Sequence, residues 1–319
     1  KVMTEKEAVA TFLPDGGSFT VGGFIGVRTS DCVFREVARQ GKKNLSYVEE
    51  SPGFALDTLI GLGAIDRIDL AYWAIRQLGG LNGMPCVELC LKEGVPRPIK
   101  MGGVMETKPK SDPPPVEVVD WTNFEVGLRF VAGALNIPFI PCRSSLGGDI
   151  PKYNKDIKVI NDPYENKPIL LIPAYKPDVA FLSVQRADRR GNGQLWGFKG
   201  VDFWKARAAK HTVLLTEELV PTEKIYENAG LTTIPAYCTD AVVSLPYNCH
   251  PTEVYGCYHG DMLRIVATMV ACQTHDAFLK WLDEWVYGCK DNSDYCDKIG
   301  WECLDRLAKA EHVINRIPK

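Results

Sequence analysis

No apolar run in this chain approaches the ~18 residues that a membrane-spanning helix needs, so no span is expected. The first residues, Lys1-Val2-Met3-Thr4-Glu5-Lys6-Glu7, read as a capped helix start and not as the apolar heart of a secretion signal, which points to a cytoplasmic protein. Blocks of like charge are missing too: 37 basic and 40 acidic residues are spread along 319 positions, for a net charge of −3. A nucleic-acid or polybasic membrane surface is therefore not expected, and the partners should be small anions or other protein chains. Repeats and low-complexity tracts are absent. There is no Cys-x2-Cys pair although the chain has 11 cysteines, an odd number scattered through a chain that is 45% hydrophobic, which reads as reduced, buried thiols. Cys86-x3-Cys90 and the group Cys249, His250, Cys257 and His259 come nearest to a ligand set. Neither has the spacing of a closed zinc site, and no metal is expected.

What is present is an alternation of strands and helices. Thr4-x-x-Glu7 is a capping-box pattern opening a helix to about Leu13, and Pro14-Asp15-Gly16-Gly17 breaks it before a strand over 19–22. Ser30 caps a helix to about Gln40; a strand at 45–49, a short helix at 53–61 and a buried strand at 68–74 follow. From 79 to 120 glycines and prolines crowd, with Asp112-Pro113-Pro114-Pro115 near the end, and an exposed excursion or lid is expected. A helix over 123–136 carries Phe124, Leu128, Val131, Ala132 and Leu135 on one stripe, then a strand at 137–141 leads to the loop Ser144-Ser145-Leu146-Gly147-Gly148. Further strands read at 169–173, 179–184, 195–197, 212–216 and 241–245, with a helix at 202–210 and the tight turn Asp188, Gly191, Asn192. The tail from about 262 to 319 is helical, Thr274 capping a segment with Phe278, Trp281, Leu282 and Trp285 in helical register. This alternation specifies an α/β protein: an open, mostly parallel twisted sheet covered by helices, in one domain with a helical C-terminal extension.

The stretch Asp15-Gly16-Gly17-Ser18-Phe19-Thr20-Val21-Gly22-Gly23-Phe24 carries the most chemistry. A strand ending at paired glycines leaves main-chain N–H groups that a ligand oxyanion can approach; it can equally be a corner where glycine only supplies positive φ. It resembles the N-terminal signature of the α-type subunits of family I CoA-transferases, which runs Asp-Gly, three apolar residues, Gly-Gly-Phe and then Gly-x-Pro. Here Thr20 interrupts the triplet, and Arg28-Thr29-Ser30 replaces the close, Arg28 being shared with the glutaconate branch. Four further segments resemble that branch: residues 133–141, 187–192, 240–251 including Pro246-Tyr247-Asn248-Cys249-His250-Pro251, and Glu284-Trp285-Val286 with Lys290-Asp291.

The resemblance implies an enzyme of two homologous subunits, commonly α2β2, acting on acyl-CoA thioesters with no tightly bound cofactor. A glutamate supplied by the β-type partner attacks the thioester, giving an anhydride and then a glutamyl-CoA that passes CoA to a second carboxylate. Relatives that hydrolyse, cleave C–C bonds in, or decarboxylate acyl-CoA keep those reactions open, as does a non-catalytic scaffold role. Glu49 and Glu50 sit where the β-type subunit carries its Ser-Glu-Asn-Gly nucleophile, and are also ordinary strand-end acids. Glu125 is either a first-turn acid favoured by the helix dipole or a base like that of the ring-cleaving relatives; Arg129, one turn on, would pair with it or with a carboxylate or phosphate of substrate or CoA. Gly22, Gly23, Phe24 and Arg28 are expected in the active-site wall, Ser144, Ser145, Gly147 and Gly148 in contact with acyl group or CoA, and His250 facing the cleft or bonding its own turn. Gly23→Val is then expected to abolish activity with the fold intact.

Overall fold

The computed structural model describes residues 1–72, 84–101 and 114–314. The opening helix, Glu5–Phe12, starts as its sequence dictates: the Thr4 hydroxyl accepts from Glu7 N, and the Glu7 carboxylate accepts from Thr4 N. The strands are β1 (Ser18–Val21), β2 (Leu45–Val48), β3 (Ile65–Leu70), β4 (Ile99–Met101), β5 (Val116–Asp120), β6 (Phe139–Cys142), β7 (Lys158–Asn161), β8 (Pro168–Pro173), β9 (Val179–Asp188), β10 (Gly193–Gln194), β11 (His211–Val220), β12 (Thr232–Ile234) and β13 (Ala241–Ser244). Eight of them run parallel in the order β4-β5-β3-β2-β1-β9-β11-β13. β9 outlasts β1, and its end turns to pair antiparallel with β10, which carries β12 on its far side.

Alternation along β9 shows why both faces are covered. Val179 and Phe181 join a core with Phe19, Val33, Phe34, Leu56, Ile60 and Phe278, beneath helices Asp31–Arg39, Ala55–Gly61, Pro85–Lys92 and His275–Leu282. Ala180, Leu182 and Val184 point the other way, with Ala206 of helix Asp202–Ala208. A parallel strand buried on both sides must be apolar at consecutive positions, as this one is. The second face continues into Trp121, Val126 and Phe130, under helix Asn123–Ala134.

Part of the expected excursion is sheet. Residues 84–101 and 114–120 form the Pro85–Lys92 helix, β4 and β5, with Val116 and Val118 buried and β5 lying between β3 and β4. The rest of that stretch, 79–83 and 102–113, lies outside the described residues. Proline density hid a five-residue strand from a reading based on composition. The strand before the serine loop is not a buried member of the parallel sheet either: β6 is the mostly exposed edge of a separate antiparallel sheet, β6-β8-β7. Ser30 does precede its helix, but the hydroxyl makes no cap bond. The tail folds into helices Met262–Ala271, His275–Leu282, Asn292–Ile299 and Trp301–Ile314, with Thr274 accepting from Ala277 N as its position requires. No helix of the described residues is long and apolar enough to cross a membrane. The 11 cysteines are unbridged.

Candidate active site

The parallel strands end together at one edge of the sheet, where open α/β folds place ligands. β2 runs out into Glu49-Glu50-Ser51, and both carboxylates turn toward Lys205 from the second-face helix. Lys205 Nζ lies 2.7 and 2.8 Å from the two Glu49 oxygens and 3.0 Å from Glu50 Oε2, and donates to Val21 O at the end of β1 at 3.0 Å. All three residues are buried. Burial drives the Glu49 carboxyl well above the ordinary range, against Lys205 and with the charge of Glu50 adding to it. Burial also pushes Glu50 up, but Lys205 and the bond from Glu49 together bring it below that range. One ammonium balances one carboxylate, so the pair shares a proton. Thr20, the polar residue in an otherwise apolar strand, places Oγ1 3.5 Å from Glu49 Oε2.

One turn before Lys205 on the same helix, Asp202 holds the glycine corner. Its Oδ2 accepts from Arg28 Nη1 at 2.7 Å and its Oδ1 from Gly23 N at 3.2 Å; Arg28 also donates to the carbonyls of Ser183 and Phe198, both at 2.9 Å. The N–H groups of Gly22 and Phe24 bond Phe181 O and Val27 O. The expected bare donors are thus taken within the chain, and Arg28, wholly buried, faces inward as a tie between segments. Gly23 has φ +88°, and a Cβ there would fall 2.1 Å from Val27 O, so a valine breaks the corner itself. Phe24 is half-buried, with its ring 5.8 Å from that of Phe198.

Ser51 leads to a second group. Its Oγ donates to Asn123 Oδ1 at 3.1 Å, tying the β2 turn to the start of helix Asn123–Ala134. That helix begins with a capping box that the sequence reading missed: the Thr122 hydroxyl accepts from Glu125 N, and Glu125 Oε2 from Thr122 N at 3.0 Å. Glu125 Oε1 accepts from Ser145 Oγ at 2.6 Å, and the Thr122 and Ser144 hydroxyls are 2.9 Å apart. Glu125 is sealed, Ser145 buried, and Ser144, Gly147 and Gly148 exposed; a Cβ at Gly147 would meet nothing. The structure therefore brings Glu49, Glu50, Glu125, Ser144 and Ser145 along one sheet edge.

Two expected partners differ. Arg129 does not pair with Glu125; its Nη1 bonds Asp69 Oδ1 at 2.7 Å, and its guanidinium lies 4.1 Å over the Trp121 ring. His250 does not face this edge. It is fully buried, with Nδ1 2.9 Å from the Tyr295 hydroxyl and Nε2 3.3 Å from Asp261 Oδ2, under the C-terminal helices. Burial lowers its pKa against the pull of Asp261. Cys249 and Cys257 do not join it, and among the described residues no group of three or more His, Cys, Asp or Glu is placed to hold a metal. Asp202 and Lys205 escaped the sequence reading because their partners lie more than 150 positions away in sequence. The one available signal was two charges three apart on a short, otherwise apolar helix face.

The family model described as Coenzyme A transferase matches residues 116–245, from β5 to just past β13, a span that holds Glu125, the serine loop, Asp202 and Lys205. The A-type subunit of the 3-oxoadipate CoA-transferase of Pseudomonas knackmussii is 30% identical over 299 residues, covering 94% of this chain and 98% of that protein. The chain belongs to the coenzyme A transferase family. The crystal structure of glutaconate coenzyme A-transferase from Acidaminococcus fermentans superposes with a TM-score of 0.82 at 26% identity, over 96% of this chain and 95% of that one. An uncharacterized Archaeoglobus fulgidus protein is 34% identical over 99% of this CoA-transferase-family chain, which spans 66% of that longer relative.

Proposed function

We propose that this chain is the A-type member of a two-subunit CoA-transferase, moving CoA from an acyl-CoA to a carboxylic acid. The observation that carries the reading is the match over 98% of the length of an A-type CoA-transferase polypeptide. In the reaction the partner's glutamate attacks the thioester carbonyl, CoA leaves as the thiolate, and the resulting anhydride is reopened by that thiolate at the glutamyl carbonyl, releasing the first acid. The acceptor acid then repeats the sequence in reverse. Each exchange is nearly isoenergetic, so no nucleotide is consumed.

Within that scheme the exposed Ser144 hydroxyl and the open backbone at Gly147 face a carboxylate or acyl oxygen, while Ser145, Glu125 and the bond from Gly148 N to Ser145 O hold the loop in place. Glu49 and Glu50 stay charge-balanced by Lys205, an arrangement suited to anchoring β1 and β2. The homologous partner docks beside them, on the apolar side chains of Leu135, Ile137, Phe139, Val159 and Ile160, which are exposed on and next to the small antiparallel sheet. Unbridged thiols suit a reducing cytoplasm. Hydrolysis, C–C cleavage and decarboxylation rank behind transfer because the match over full length is to a transferase.

The test is to co-express the chain with its partner, supply acyl-CoA with an acceptor acid, and trap the intermediate with hydroxylamine. Exchange by the pair, none by this chain alone, and a hydroxamate on a partner glutamate are expected. A hydroxamate on Glu49 or Glu50, or exchange by the single chain, overturns the division of labour; release of free acid without exchange replaces transfer by hydrolysis.

A further inference from the structure

On the opposite face of the sheet from Lys205, a cavity separates helices Asp31–Arg39, Ala55–Gly61 and Pro85–Lys92 from the C-terminal helices Met262–Ala271 and His275–Leu282. Its walls are apolar over much of their area, with Phe54, Pro85, Ile265, Met269, Phe278 and Trp281 among them. Two guanidiniums and two carboxyls also line it, and their pairing is uneven. Asp31 bonds Arg35, which also donates to Asn292 Oδ1 at 2.9 Å and stacks 3.7 Å over the Tyr295 ring. Asp57 is committed to the N–H groups of Cys86 and Val87, at 3.0 and 2.9 Å, and burial against those bonds leaves its pKa raised to about 6. Arg264 has no carboxylate within ion-pair distance among the described residues. Its guanidinium sits 3.2 Å over the Trp285 ring, with the Tyr295 hydroxyl and the charge of Asp31 on its side, but its Nη2 is buried with no hydrogen-bond partner, as is Nε of Arg35. The nearby Asp261 is spent on Arg264's own N–H, at 2.9 Å, and on the neutral His250.

A buried guanidinium donor without an acceptor loses its hydration with nothing in exchange. An anion in the cavity supplies the missing acceptor. The room is about 50 Å³, roughly four water-sized groups, which excludes CoA and admits an acid of two or three carbons. We infer that this cavity is a second ligand site that takes a small monocarboxylate, its carboxylate on Arg264 and its methyl or ethyl end against Phe54, Met269 and Phe278. The ligand bridges the C-terminal helices to the sheet-covering helices, so occupancy stiffens the attachment of the tail. The site is separate from the sheet edge that carries Glu49 and Glu125, and its binding does not depend on the transferase reading.

The test uses the full chain in the assembly in which it purifies, without CoA. Sodium acetate and sodium propionate are titrated at constant ionic strength, with acetamide as the neutral isostere, reading Trp281 and Trp285 fluorescence and the melting temperature. A saturable response to acetate and propionate, none to acetamide, and an affinity at least tenfold weaker in Arg264→Gln are expected. Should Arg264→Gln fail to fold, Met269→Trp, which keeps the guanidinium but fills the space, is expected to abolish the response. No saturable response in the wild-type chain, an equal response to acetamide, or undiminished binding in the folded variants overturns the site.

Discussion

Two carboxylate groups sit along the same sheet edge and are held by opposite means. At the end of β2, Glu49 and Glu50 meet a buried ammonium, and the whole cluster is buried. At the start of helix Asn123–Ala134, Glu125 is held by a main-chain N–H and a serine hydroxyl, and the neighbouring Ser144 reaches the surface. The first arrangement gains its rigidity from charge and depends wholly on Lys205. The second spreads its bonds over neutral donors, so that removing one leaves the rest standing, and its hydroxyls lead outward to where a substrate can arrive. Buried charge near a candidate site is therefore a poor guide to chemistry on its own; the polar group that reaches solvent is the better one.

That contrast can be broken most forcibly at Lys205. Lys205→Met leaves two buried carboxylates facing each other without a counter-charge, and a loss of about 3–5 kcal/mol in unfolding free energy is expected by urea titration. Adding Glu49→Gln should recover part of it; no recovery would mean that the lysine acts through packing. Gly23→Val comes next. Because its Cβ would overlap Val27 O at a φ of +88°, a loss of about 2–4 kcal/mol is expected, with activity lost through the fold and not beside it. A normal melting curve with no turnover would restore the glycine corner to the chemistry.

A third carboxylate sharpens the comparison. Glu217 has donors but, among the described residues, no cation: Tyr247 N at 2.6 Å, Asn248 Nδ2 at 2.7 Å and the Tyr258 hydroxyl at 2.9 Å, and burial outweighs them to raise its pKa to about 8. A carboxyl raised on folding binds its proton more tightly in the native state, so its contribution is complete below about pH 4.5 and is lost as pH rises through 8. Its share of the slope is at most about 1.4 kcal/mol per pH unit in that window, measured by urea midpoints across pH. Glu217→Gln should remove that share and leave the part due to Glu5 and Asp57, which burial raises to about 7 and about 6; an unchanged slope would assign all of it to those two. The smallest effect on stability belongs to Ser144→Ala, at most about 0.5 kcal/mol at an exposed site. If the serine loop meets substrate, kcat/KM with the partner present should still fall roughly five- to tenfold, the worth of one hydrogen bond. Unchanged kcat/KM would remove the loop from the site.

Local signals were legible where the cause was local. The Thr4-Glu7 and Thr274 caps and the Asp188 turn each depend on residues within a few positions, and each formed; the strand read at 179–184 formed too but runs on to Asp188. β5 was hidden because its proline-rich approach outweighed five residues of strand. Glu49, Glu50, Glu125, Ser144 and Ser145 were legible as candidates, but what holds them was not.

The amino-acid order by itself determined the alternation of strands and helices, and with it a parallel sheet buried on both faces, because hydrophobic periodicity is a property of neighbouring residues. Which acids are neutralised, and by what, was decided only when folding brought Lys205 to Glu49 and Asp202 to Arg28 across more than 150 positions of chain. Electrostatic partnership is set by distance in space and by the exclusion of water, and neither exists until the sheet has closed over its helices.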